Sequence, residues 1–166
     1  MTREIHVNDS FQTDYVYLCI AEPGENFDPA FRPFHTPKQM LELGVFEGKY
    51  INDCQDEFPE DWFEMAKIAD KPSVQLNYFG IKSRQPLSVW KQKGWIYGPD
   101  PRGWFQWYCR YYMGRRLENI DSIQIKRWKS FARHAGQIKS NCHPNDLFCR
   151  PKQRQALLQW AYDPFI

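Results

Sequence analysis

The chain has 166 residues, 42% hydrophobic and 17% aromatic, which is enough material for one buried core, so a single domain over residues 1–166 is expected. No run approaches the roughly 20 apolar residues of a membrane helix, and the apolar run 15–21 is too short for a signal peptide and follows Asp9 and Asp14. A cytoplasmic protein with no membrane partner is therefore expected. The net charge of +2 hides a split: residues 1–80 carry 6 Lys and Arg against 15 Asp and Glu, and residues 81–166 carry 16 against 5. The basic half suits a polyanion, or the two halves neutralise each other.

In chain order, residues 13–20 are β-branched and aromatic around Tyr15, Val16, Tyr17 and Leu18, and read as a strand ended by Glu22-Pro23-Gly24. Thr36-Pro37 starts a helix, with a capping hydroxyl before a proline at the first position. Trp62, Phe63, Met65, Ala66 and Ile68 predict a short helix over 59–69, closed by Lys71-Pro72. Residues 74–81 read as a second strand, and 86–93 as a short helix ending at Gly94.

Asp100-Pro101 predicts the clearest helix start, opening 101–113 with Gly114 as its stop. Its aromatic residues, Trp104, Phe105, Trp107, Tyr108, Tyr111 and Tyr112, surround the axis, which places this helix at the centre of the fold. Residues 121–138 read as one amphipathic helix. Gln124, Trp128, Phe131, Ala135 and Ile138 fall on one side at 100° per residue, and Lys126, Lys129, Arg133 and Gln137 on the other. A loop over 141–150 leads to a last helix over 151–162, with Leu157, Leu158 and Trp160 as core contacts. The fold class is mostly α: a compact helical domain with a central aromatic helix and two short strands.

Four features bear on chemistry. The first is the basic stripe, with Arg110, Arg115, Arg116, Arg127, Lys139, Arg150, Lys152 and Arg154 around it, a set able to contact several phosphates. A solvated helix face is the plain alternative. The second is aromatic abundance, which serves base stacking or simple packing, with Arg102-Gly103-Trp104 and Trp95-Ile96-Tyr97-Gly98 as the candidate exceptions to packing.

The third feature is the acidic cluster Asp53, Asp56, Glu57, Glu60, Asp61 and Glu64, a solvated face or a source of one catalytic carboxylate, for which Asp53 stands apart. The fourth is the group His134, Cys142, His143 and Cys149. Its spacing lacks the paired ligands of a zinc site, so no metal or other cofactor is expected. With five cysteines, an odd number, free thiols are expected.

The phosphate-loop, dinucleotide, serine-hydrolase, zinc-protease and zinc-deaminase patterns are all absent. The expected function is nucleic-acid binding, DNA ahead of RNA, through Lys126, Lys129, Arg133, Arg115, Arg116, Lys152 and Arg154, with Trp104 stacking on a base. An extension is hydrolysis of a nucleobase–sugar bond on an extruded base, with Asp53 and His134 as catalytic residues. The alternative is a small-molecule enzyme or binding protein in which arginines hold an anionic ligand in an aromatic pocket. A third reading is self-association of the acidic and basic ends of neighbouring copies.

Overall fold

The computed structural model describes residues 2–96 and 98–166, so the expectation attached to Tyr97 lies outside it. Helices dominate beside one two-stranded sheet, and the class is mostly α. Among the described residues no helix is long and apolar enough to cross a membrane. The chain forms two compact units. One comprises Met1–Arg32, Ile51–Glu60 and Gln85–Ile125; the other comprises Pro33–Tyr50, Asp61–Arg84 and Lys126–Ile166.

In the first unit, β1 (Arg3–Val7) pairs antiparallel with β2 (Tyr15–Cys19), with Arg3 opposite Cys19 and Val7 opposite Tyr15. The β2 strand lies within the expected 13–20 span, and its partner, Arg3–Val7, lies outside both expected strands. The sequence Arg-Glu-Ile-His-Val carries few apolar residues and gives little strand signal by itself. Asp9 builds the turn between the strands, its Oδ1 accepting from the Phe11 and Gln12 amides.

Helix α3 (Trp104–Met113) is buried along almost its whole length, as an all-round aromatic helix must be. Phe31 packs against the rings of Trp104, Trp107, Tyr108 and Tyr111 at centroid distances of 5.3 to 6.2 Å. The helix stops at Gly114, which is left-handed at φ 116°. A Cβ there would lie 2.1 Å from the Ala21 carbonyl oxygen, so only glycine lets this turn accept the Ile20 and Ala21 amides. The start differs from expectation. The helix begins at Trp104 after Gly103, and Asp100, expected to cap it, is fully buried between two guanidiniums. Two charged partners hold a buried carboxylate more strongly than backbone amides at a helix end. Helix α2 (Leu87–Gln92) also belongs here.

In the second unit, α1 (Pro37–Leu43) starts where expected, with a reciprocal capping box between Thr36 and Gln39. The helix expected over 59–69 reduces to a 3-10 turn at Glu60–Trp62, and the strand over 74–81 to another at Val74–Leu76. Here the backbone amides go elsewhere. Lys67 donates to Leu41, Ala69 to Gly48, Ser73 to Glu47 and Tyr78 to Gly44, so the segment is laced to α1 and the chain that follows it.

The single helix expected over 121–138 is two. Helix α4 (Glu118–Ser130), which belongs to the first unit as far as Ile125, ends just before Phe131, and α5 (Ala132–Asn141) follows. Phe131 stacks on Trp160 at 3.9 Å, and Trp128 on Tyr162 at 4.8 Å. These contacts set the break at a position with no proline or glycine to announce it. Helix α6 (Pro151–Gln159) packs on α5, and its buried Gln155 and Gln159 donate to the Gly44 and Val45 carbonyls. The loop between α5 and α6 holds a disulfide, Cys142–Cys149, which corrects the expectation of free thiols for this pair. Cys19, Cys54 and Cys109 are free and buried.

Candidate functional site

The arginines of the first unit form a buried ion hub. Arg110, fully enclosed on α3, donates from Nε and Nη2 to Glu57 at 2.8 and 3.1 Å, from Nη1 to Asp100 at 2.9 Å and to the Pro99 carbonyl at 3.0 Å, and from Nη2 to Gln12 at 2.8 Å. Arg115 reaches both oxygens of the same Asp100 at 2.8 and 2.6 Å. Tyr17 donates to Glu57 at 2.7 Å, and burial raises its phenol above the ordinary value. Arginines so fully engaged leave no fork for an outside anion.

Arg116 and Trp104 are likewise committed within this unit. Arg116 donates to the carbonyls of Tyr111, Arg115, Glu25 and Asn26, with its guanidinium 3.8 Å from the Tyr111 ring centroid. Trp104 is buried and donates from its indole to the Gln124 carbonyl.

Asp53 lies in a short helical turn, Asn52–Glu57, and its side chain is 53% exposed. Arg102 donates to one of its oxygens and Ser10 to the other, both at 2.7 Å. The Arg102 hydrogen bond holds this carboxyl down to about 2 against partial burial. Asp53 is thus a fixed anion at neutral pH: it can stabilise positive charge, but it has no proton to give. Beside it a cleft of about 230 Å³ is lined by Glu4, His6, Asp9, Cys54, Asp56 and Glu57. Its carboxylates oppose an anionic ligand. Among the described residues no three His, Cys, Asp or Glu side chains converge as a metal site.

The second unit carries most of its cations outside. It has 14 Lys and Arg against 7 Asp and Glu, whereas the first has 8 against 13. Lys126 and Lys129 on α4, Arg133 and Lys139 on α5, and Lys152 on α6 are all exposed. Among the described residues none of these five has a carboxylate oxygen within 4 Å. The opposite face of the same helices, Gln124, Ile125, Trp128, Phe131 and Ile138, is buried.

Arg154 departs from this pattern. It is fully buried and donates to the carbonyls of Cys149, Asp146, Pro164 and Ile166, so it shapes the surface without belonging to it. His134, half-buried on α5, pairs through Nδ1 with the Gln153 amide at 3.2 Å, and burial followed by the Arg133 charge lowers its pKa. It is neutral at neutral pH and lies in the second unit, whereas Asp53 lies in the first.

The nominated set therefore divides. Lys126, Lys129, Arg133 and Lys152 are exposed and available, while Arg115, Arg154 and Trp104 are buried and Arg116 is occupied. Sequence reasoning missed Phe148, which is 95% exposed in the stapled loop. Its signal was an aromatic residue in a Pro-Asn-Asp loop with no apolar neighbour at strand or helix spacing. Comparison with protein-family models, curated proteins and solved structures finds no match to this chain.

Proposed function

We propose that the protein binds nucleic acid, DNA ahead of RNA, through the exposed cations of α4, α5 and α6. The observation that carries this is the group Lys126, Lys129, Arg133, Lys139 and Lys152, exposed and without carboxylate partners among the described residues. An ordinary solvated surface intersperses both signs. The protein's cations would displace condensed counterions from the phosphates, so affinity falls with salt by roughly 0.9 log units per log unit of salt for each duplex phosphate contacted, and about 0.7 for a single strand.

Fluorescence anisotropy with labelled DNA and RNA, titrated at several salt concentrations, is the test. Steep salt dependence that disappears in the K126E/K129E/R133E variant supports the reading; no binding at the lowest salt sinks it. Action on an extruded base is the catalytic extension. The ionised, half-exposed Asp53 supports a role in stabilising a developing sugar cation. Incubation with duplexes carrying modified bases, against Asp53→Asn, tests that step, and a wholly inert protein removes it.

A cytoplasmic location belongs to the same proposal and has its own check. Fractionation of cells expressing the tagged chain should recover it with the cytosolic fraction. Recovery in a membrane-enclosed fraction would remove this part of the proposal.

A further inference from the structure

We infer that the stapled loop between α5 and α6 is a stacking element, with Phe148 packing its ring on an unpaired base of single-stranded nucleic acid. This rests on the nucleic-acid reading above and adds to it the strand type and the residue that selects it.

Among the described residues Phe148 is the most exposed of the large apolar side chains, at 95%. Exposure alone is common for single apolar residues. What sets this ring apart is the rigidity of the backbone beneath it. The Cys142–Cys149 disulfide closes the loop immediately after Phe148. Inside it, Asp146 accepts the Phe148 amide on Oδ1 and the Cys149 amide on its carbonyl, both at 3.2 Å, and its own amide donates to His143 at 3.2 Å. From below, buried Arg154 donates to the Cys149 carbonyl at 2.7 Å and the Asp146 carbonyl at 3.0 Å, and is itself moored to Pro164 and Ile166. A ring held out on an ordered platform loses little freedom when a partner covers it.

Charge identifies the partner. Lys139 in the last turn of α5, and Arg150 and Lys152 at the start of α6, are exposed at the two ends of the staple. A phosphate backbone beside the loop meets cations while Phe148 meets a base. An unpaired base offers a π-face that one phenyl ring covers, whereas a duplex keeps those faces inside its stack. A membrane surface needs a broader apolar face than one ring, and the adjoining Leu147 is half-buried.

The experiment compares wild type, Phe148→Ala, Phe148→Trp and the K126E/K129E/R133E variant. Each is titrated with a single-stranded oligonucleotide, the matching duplex, and phosphatidylserine vesicles. Phe148→Ala should lose roughly tenfold in affinity for the single strand and little for the duplex, and the tryptophan of Phe148→Trp should be quenched by the single strand. Wild-type affinity for the single strand in Phe148→Ala, or dependence on Phe148 for vesicles alone, would overturn the inference while leaving the basic surface intact. Failure of the wild type to bind either oligonucleotide would remove both, and loss of binding in the lysine and arginine variant alone would leave only the basic surface.

Discussion

The two units place the same residue types in opposite situations. In the first, Arg102, Arg110 and Arg115 lie inside, fixed against Asp53, Glu57 and Asp100. In the second, Lys126, Lys129, Arg133, Lys139 and Lys152 lie outside without carboxylate partners among the described residues. The contrast teaches that a guanidinium satisfied by buried carboxylates is part of the fold, and that only a cation left facing water is available to a ligand. Counting charge along the chain mixes the two. Arg154 is the instructive exception in the second unit, a buried cation satisfied by carbonyl oxygens alone.

The sharpest way to break this contrast is to remove a buried charge. Arg110→Met leaves Glu57 and Asp100 without their shared partner, and should destabilise the protein by about 3–5 kcal/mol in urea unfolding. A cost no larger than that of an exposed lysine would mean the hub is not structural. Phe31→Ala should come close, at about 3–5 kcal/mol, by opening a cavity under four rings. In the second unit, replacing Cys142 and Cys149 with serine should cost about 2–3 kcal/mol, as for closure of a short loop, read as a lowered urea midpoint in non-reducing buffer.

Asp53 sharpens the comparison through pH. Its folded pKa of about 2 lies below the ordinary 3.8, so its ionised form stabilises the fold above the ordinary value, and this contribution is lost as pH falls from 3.8 towards 2. The gap in melting temperature between wild type and Asp53→Asn should therefore be open at neutral pH and close across that window. A gap independent of pH would show that the Arg102 contact does not depend on charge. The smallest expected effect on stability is that of Lys126→Glu, within about 0.5 kcal/mol, although the same site should matter for binding. A large loss of stability there would mean that the basic face is structural.

Features written in neighbouring residues were legible. Thr36-Pro37 with Gln39 announced the start of α1, and Gly114 the end of α3. The aromatic girdle of α3 announced its burial, and helical spacing placed Trp128, Phe131 and Ile138 inwards with Lys126, Lys129 and Arg133 outwards. That pattern survived the break because Phe131 itself keeps a right-handed helical backbone, at φ −79° and ψ −9°.

Long-range partners decided the rest. Asp100 looked like a cap because nothing nearby in sequence shows that Arg115 will enclose it, and Arg110 finds Glu57 across 53 residues. The segment 59–69 has helical spacing, but the chain from Leu41 to Gly48 accepts amides of the stretch that follows it. Burial separated Arg115 and Arg154 from the exposed cations, and loop geometry joined Cys142 to Cys149 and left Phe148 in water. Periodicity and capping act within a few residues, so the helical class, the aromatic centre and the two faces of the α4–α5 stretch can be read along the chain. Which charges are free to bind depends on partners brought together from distant parts of the chain, and emerges only on folding.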